Sequence, residues 1–310
     1  MEYLYLFAGF ILLLYSGHLL VKSSVALAFR FKVSKLVIGM IVVAFGTSVP
    51  ELVVSLKAAV MGHPDIAMGN IVGSNIANIG LIAALAAILL PMKIQDSSVK
   101  IDWPVMMFVS LLLYFFILDS KMTMIEGVIF VTIYVVYIVL SIHFSRKKIK
   151  NDITQSFPAI YSFPVATVIF LLSCVGLIMS ADWLVNGAST IARNSGVSER
   201  VISLSVIAIG TSLPELATSA IAAWKKEADI SIGNVLGSNF FNICCVLGIT
   251  SIAKPIHVTK KIASSDIFWM LGIALLLFIF IFRKQNRRLS RINGIIMLAV
   301  YCTYVVFLFL

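Results

Sequence analysis

Charge is scarce in this chain: Asp, Glu, Lys and Arg make up 12% of its 310 residues, against 60% hydrophobic residues. The mean hydropathy is +1.04. That balance excludes a soluble domain of this size and specifies a polytopic helical membrane protein. Cysteine is rare as well. The four present (Cys174, Cys244, Cys245, Cys302) lie in apolar segments without metal-type spacing, and read as reduced, buried thiols. His-Glu-x-x-His, paired aspartates and a Ser–His pair are all missing at membrane depth, which removes an intramembrane protease and any enzyme built that way. His18, His63, His143 and His257 sit at helix ends or in loops. No basic stretch precedes the apolar run from Tyr3 to Leu20, and the run continues into a longer helix, so no secretory signal peptide is expected. The net charge of +10 does not point to nucleic acid, because the basic residues fall in short loops between apolar segments.

Ten apolar segments are present, roughly Tyr3–Phe29, Ser34–Val60, Ile66–Leu90, Trp103–Leu118, Met124–Phe144, Phe163–Ala192, Val197–Trp224, Ile230–Ala253, Ile267–Phe282 and Ile292–Leu310. The basic stretch 145–162 is the one candidate linker. It divides the chain into units 1–144 and 163–310. An offset of 164 carries Gly46 onto Gly210, Glu51 onto Glu215, Gly69 onto Gly233 and Asn78 onto Asn242. The same offset carries Ser34 onto Ser198, Asp65 onto Asp229 and Pro91 onto Pro255, and pairs Leu20-Val21 with Leu184-Val185. An ungapped register of that length indicates a duplicated unit of five spans. Five is odd, so the second copy enters the membrane from the opposite side. The expected fold is therefore all-α, with ten transmembrane helices in two inverted five-helix repeats and a site near the midplane between them. Loop Lys and Arg divide sixteen (Arg30, Lys32 and Lys35 through the 146–150 run to Arg291) against six (Lys121, Arg193, Arg200, Lys254, Lys260, Lys261). The richer side is expected to be cytoplasmic, with both termini outside and the linker inside.

Each repeat interrupts one apolar span with a polar motif. The first reads Gly46-Thr47-Ser48-Val49-Pro50-Glu51-Leu52 and the second Gly210-Thr211-Ser212-Leu213-Pro214-Glu215-Leu216. A carboxylate in a bilayer is costly and marks function. Proline removes a donor and clashes with the preceding turn, so the helix breaks there and its carbonyls seek a partner. Carbonyls, hydroxyls and a carboxylate form a cluster of hard oxygen ligands, which suits a cation such as Ca²⁺, with about six to eight oxygens, rather than zinc or copper. A small-residue span follows each motif: Gly69-Asn70-x-x-Gly73-Ser74-Asn75-x-x-Asn78, then Gly233-Asn234-x-x-Gly237-Ser238-Asn239-x-x-Asn242. Gly69 and Gly73 share a face that admits another backbone, and Asn70, Ser74 and Asn78 form a polar stripe toward a partner helix. Ser34, Asp65, Ser198 and Asp229 each precede an apolar run and are expected to cap helix N-termini.

These paired motifs resemble the α-repeats of the cation/calcium exchanger superfamily, in its sodium/calcium branch. The resemblance is carried by residues 44–78 and 208–242 and extends through the ten-span plan. It implies a secondary antiporter, with Ca²⁺ and Na⁺ as substrates and no cofactor, working by alternating access in the plasma membrane. It implies a Ca²⁺ position at Thr47, Glu51, Thr211 and Glu215. An outer Na⁺ position would use the Ala208 carbonyl, Thr211, Ser212, Glu215 and Ser238; an inner one would use the Ala44 carbonyl, Ser48, Glu51 and Ser74. It also implies that the helices carrying Val21 and Val185 slide against the rest. Potassium-dependent members carry aspartate where this chain has Asn242, and Asn78 is likewise neutral. A Ca²⁺/H⁺ antiporter on the same fold, or a passive cation channel, would use the same two carboxylates. Nothing in the residue pattern specifies an oligomeric state.

Overall fold

A computed structural model describes residues 2–151, 161–194, 196, 208–282 and 287–308. They form helices α1 Glu2–Phe31, α2 Lys35–Thr47, α3 Val49–Val60, α4 Pro64–Leu89, α5 Ser98–Asp119 and α6 Met124–Asn151. The second half contributes α7 Phe163–Asn194, α8 Ala208–Thr211, α9 Leu213–Trp224, α10 Ala228–Ala253, α11 Ile262–Ile281 and α12 Arg291–Leu308. Two-residue strands β1 Met92–Lys93, β2 Lys121–Met122, β3 Ile256–His257 and β4 Arg288–Leu289 pair as β1·β4 and β2·β3 at the helix ends. The protein is thus an all-helical polytopic membrane protein. Among the described residues eight helices are long and apolar enough to cross a bilayer, or nine if the bent pair α2–α3 counts as one span. The expected seventh span, Val197–Trp224, begins outside the described residues; α8 and α9 are what is described of it.

Burial sorts the helices into layers. The apolar windows of α4 and α10 are 78% and 89% buried, whereas those of α6 and α12 are 17% buried. The small-residue helices therefore form the centre and the outermost ones face lipid. Close approach at the centre depends on glycine. A Cβ on Gly237 would overlap the Met40 carbonyl, and one on Gly233 would lie 2.7 Å from the Leu36 carbonyl, so α2 lies directly on α10. A Cβ on Gly69 or Gly73 would meet no atom within 4 Å among the described residues. α1 and α7 lie alongside each other, with Gly176 against Ser16.

The elements repeat with the register of the motifs. α3 spans 49–60 and α9 213–224, α4 spans 64–89 and α10 228–253, and β1 at 92–93 answers to β3 at 256–257. One end of the bundle is closed by β1·β4, by Lys35 Nζ 2.7 Å from Glu227 Oε2, and by Gln95 Nε2 donating to Asp229 Oδ2 at 2.7 Å. There Arg287, and then Lys100, holds the Asp96 carboxyl below the usual carboxylate range. The other end is closed by β2·β3 and by Lys254 Nζ donating to the Val60 carbonyl at 3.3 Å. These groups match the two sets of loops sorted by Lys and Arg counts.

Some boundaries and caps differ from expectation. Ser34 does cap α2, its hydroxyl accepting the Val37 N–H at 3.2 Å. Asp65 does not cap: Pro64 starts α4 one residue earlier, which leaves Asp65 inside the first turn. Asp229 likewise lies in the first turn of α10 and serves instead as the acceptor for Gln95. Ser198 lies outside the described residues. His18 and His143 lie within α1 and α6 rather than at helix ends, and of the four cysteines only Cys244 is fully buried, Cys302 being exposed. The linker is helical at its start, because α6 runs on to Asn151 through Arg146, Lys147 and Lys148, residues of good helix propensity.

Candidate functional site

The site begins with a broken backbone. α2 ends at Thr47, Ser48 leaves the helical region at φ −91°, ψ 11°, and α3 starts at Val49 with its axis bent by 47°. Ser212 has nearly the same geometry, φ −90° and ψ 5°, between α8 and α9. Pro50 and Pro214 occupy the first turns of the new helices, where a missing N–H costs nothing. The break places Glu51 and Glu215 in those first turns, beside the positive ends of α3 and α9. Both carboxylates are buried, Glu51 at 1% and Glu215 at 2% exposure.

The two halves cross at this point. Ser48 donates to Glu215 Oε1 at 2.8 Å and lies 3.1 Å from the Ser238 hydroxyl, while Ser212 Oγ lies 3.5 Å from Glu51 Oε1. Each carboxylate is thus held by the serine of the opposite repeat, and the two lie close enough to repel. The hydrogen bonds join Ser48, Glu215 and Ser238 in one cluster and Ser212 with Glu51 in the other, so each serine stands on the opposite repeat's glutamate. Thr47 Oγ1 lies 3.3 Å from the Ala44 carbonyl and 3.2 Å from Asn234 Oδ1, and its hydroxyl also bonds the Glu215 carboxylate, as that of Thr211 bonds Glu51. The Ala44 carbonyl also accepts the Ser48 N–H at 3.0 Å. Thr211 closes α8 and is only partly buried, Ala208 opens it, and Ser74 is buried on α4 one turn before Asn78.

Asparagines bracket this centre in symmetric pairs. Asn78 Nδ2 donates to Asn239 Oδ1 at 3.0 Å, and Asn242 Nδ2 donates to Asn75 Oδ1 at 3.3 Å. Asn70 donates to Ser55 Oγ at 2.9 Å and to the Glu51 carbonyl at 3.3 Å; Asn234 does the same to Ser219 Oγ at 2.9 Å and the Glu215 carbonyl at 3.4 Å. What remains is a set of acceptors. Among the described residues, Glu51 Oε2, Glu215 Oε2, Asn78 Oδ1 and Asn242 Oδ1 are buried with no hydrogen-bond partner. A buried acceptor left unpaired costs about 1–3 kcal/mol, and more when charged. Four unpaired oxygens, two of them on carboxylates, match the needs of a hard cation. No group of three or more His, Cys, Asp or Glu side chains gathers among the described residues, so a zinc or copper centre has no ligand set there.

Several residues of this network are absent from the motif-based ligand sets: Ser55, Asn75, Ser219 and Asn239, with Asn70 and Asn234 as braces. The register of 164 would have found them, because it maps Ser55 onto Ser219 and Asn75 onto Asn239. It also maps Asp102 onto Asp266, two acidic residues placed just ahead of the expected spans. Both are buried inside α5 and α11; Tyr137 donates to Asp102 Oδ1 at 2.8 Å, and Tyr304 bonds Asp266.

Comparison with known proteins agrees with this geometry. The profile of the family described as "Sodium/calcium exchanger protein" matches residues 1–143 and 165–310. The sodium/calcium exchanger MaX1 of Methanosarcina acetivorans is 30% identical over 348 residues, covering 99% of this chain and 98% of the relative. The inner membrane protein YrbG of Escherichia coli is 31% identical over 287 residues, covering 90% and 88%. Among solved structures, the sodium-calcium exchanger NCX_Mj soaked with zero Na⁺ and Ca²⁺ superposes with a TM-score of 0.86 at 29% identity, covering 99% of this chain and 98% of that one.

The bracing role of Asn234 carries a prediction. Asn234→Leu removes the bonds that hold the Glu215 turn and leaves the Ser219 hydroxyl short of its donor. Ca²⁺ binding should weaken about tenfold, the equivalent of one buried hydrogen bond to a charged-group support. Equilibrium ⁴⁵Ca²⁺ binding to the purified protein measures it; unchanged affinity would remove Asn234 from the site.

Proposed function

We propose, from the premise that this chain belongs to the sodium/calcium exchanger family and is therefore a cation/Ca²⁺ antiporter, that it exchanges Na⁺ for Ca²⁺ across the plasma membrane. The observation that carries the reading is the set of four unpaired buried oxygens on Glu51, Glu215, Asn78 and Asn242. Ca²⁺ as substrate would be held between the two glutamates with Thr47 and Thr211. Na⁺ would use the flanking hydroxyls of Ser48, Ser74, Ser212 and Ser238 with the carbonyls of Ala44 and Ala208. Two carboxylates are neutralised by one divalent ion or by monovalent ions, so the two cargoes compete for the same charges. That competition is what couples their movement.

The architecture supports ten helices as two inverted five-helix repeats. β1·β4 closes one end and its repeat-related counterpart, β3·β2, closes the other, as a two-fold axis in the membrane plane requires. α1 and α7 contact each other lengthwise and meet the core through small residues: on α7, Val185 against Gly210 and Cys174 against Gly46 at 2.6 Å for a built Cβ, and on α1, Gly17 against Ile221 of α9. Helices joined to the core by glycine contacts can slide as a pair, and that sliding would open the site to each side in turn. Two carboxylates without a cationic partner also suit protons, which keeps Ca²⁺/H⁺ exchange as the competing reading.

Uptake of ⁴⁵Ca²⁺ into proteoliposomes, with outward Na⁺, H⁺ or K⁺ gradients imposed singly, separates these. An Na⁺ gradient should drive accumulation, and Glu51→Gln should abolish it while the protein still inserts. Accumulation driven by the H⁺ gradient alone would establish the competing reading. K⁺ should be neither required nor carried, since Asn242 is neutral and its amide is committed to Asn75. A strict K⁺ requirement would contradict that assignment.

The end carrying Lys35, Lys93, Lys100 and Arg287 is assigned to the cytoplasm, which leaves both termini outside. In a background without native cysteines, an impermeant maleimide applied to intact cells should label a cysteine replacing Glu2 and spare one replacing Lys148. The reverse pattern would invert the assignment.

A further inference from the structure

On α1 the outward stripe Phe7, Ile11, Leu14 and Tyr15 is exposed and apolar, as a lipid-facing helix requires. The same stripe, continued by three and four residues, reaches His18 and Lys22. Beside them stands Lys225, which follows α9; its Nζ donates to the His18 carbonyl at 3.0 Å. Lys22 Nζ lies 5.2 Å from the centroid of the Tyr161 ring. Lys22 and Lys225 are close enough to repel each other, and both repel the His18 ring. The carboxylate nearest in sequence, Glu227, attracts Lys225 from a distance but is itself held by Lys35, at 2.9 and 2.7 Å to its two oxygens. Among the described residues neither Lys22 nor Lys225 makes an ion pair. Trp224, the neighbour of Lys225, is 77% exposed.

The fold does not need this charge. The duplicated register places Met61 where Lys225 stands and Asn186 where Lys22 stands, so the opposite end of the molecule lacks the cluster. A pair of lysines from neighbouring elements, at the end of a lipid-facing apolar stripe and beside an exposed tryptophan, has the chemistry of a headgroup site. We propose that the surface where Lys22 of α1 and Lys225 after α9 come together binds the phosphate of an anionic phospholipid, with the two lysines as its counter-charges and the α1 stripe against its acyl chain. An exposed tryptophan at the end of α9 is the residue type that anchors at the headgroup level. Because Lys22 lies on α1 and Lys225 follows α9, the lipid would bridge a sliding helix to the core; this consequence rests on the transport cycle proposed above, whereas the binding does not.

The test is native mass spectrometry of the full-length protein released from nanodiscs of phosphatidylcholine mixed with phosphatidylglycerol. Wild type should retain one phosphatidylglycerol and no phosphatidylcholine. Each lysine near a headgroup is worth about fivefold in binding, so Lys22→Gln with Lys225→Gln should weaken retention about twenty-five-fold. Thermal unfolding and ⁴⁵Ca²⁺ binding serve as controls for folding, and Lys22→Arg with Lys225→Arg should restore retention. Equal retention by the Gln double variant, or equal retention of phosphatidylcholine by wild type, would overturn the proposal. Displacement of the lipid by inorganic phosphate alone would also overturn it, because the acyl stripe would then contribute nothing. Transport is not measured in this experiment, so a failure of Na⁺-driven exchange would leave its result standing.

Discussion

Two carboxylates, Glu51 and Glu215, are buried against each other in the middle of a membrane protein, and the surrounding structure follows from that constraint. Like charges at low dielectric repel strongly and carry a desolvation cost of several kcal/mol each. The protein meets part of this cost locally. Ser48 and Ser212 cross to the opposite repeat's carboxylate, and each glutamate sits in the first turn of a helix whose N-terminus favours negative charge. Among the described residues one oxygen of each carboxylate remains unpaired. The proposed cation between the glutamates would supply what these oxygens lack, through the same contacts that hold the repeats together.

The helix breaks and the glycine contacts serve this centre at different ranges. Pro50 and Pro214 shift the start of α3 and α9 so that the glutamates fall beside fresh N-termini. Gly233 and Gly237 let α2 rest directly on α10, which brings Thr47 to Asn234 and Ser48 to Ser238. A side chain at either glycine would push α2 away and separate these pairs before any ion arrived. Asn78 and Asn242 then bond across to Asn239 and Asn75 through their amide N–H groups, which leaves their own carbonyl oxygens unpaired among the described residues.

Much of this was legible in the residues. The broken helices, the central glutamates and the duplicated register follow from proline chemistry, membrane energetics and simple subtraction. The layer order did not, because hydropathy is high in every span and says nothing of which helix is central. Pairing across repeats was also hidden: the motif suggests that Ser48 serves Glu51, its near neighbour, whereas the fold delivers it to Glu215. Asp102 and Asp266 escaped notice because π-helical turns at Ser98–Asp102 and Ile262–Asp266 carry α5 and α11 further than the apolar runs suggest. The caps expected at Asp65 and Asp229 failed for a related reason, since the helices begin one or two residues before the apolar pattern does.

The central claim is that a cation belongs between Glu51 and Glu215. Diffraction from crystals equilibrated with Ca²⁺, recorded at a wavelength where calcium scatters anomalously, addresses it without reference to transport. The account predicts an anomalous peak within about 2.3–2.6 Å of oxygens from both glutamates. A peak lying elsewhere, or glutamates bonded only to Ser48 and Ser212 at saturating Ca²⁺, would contradict it.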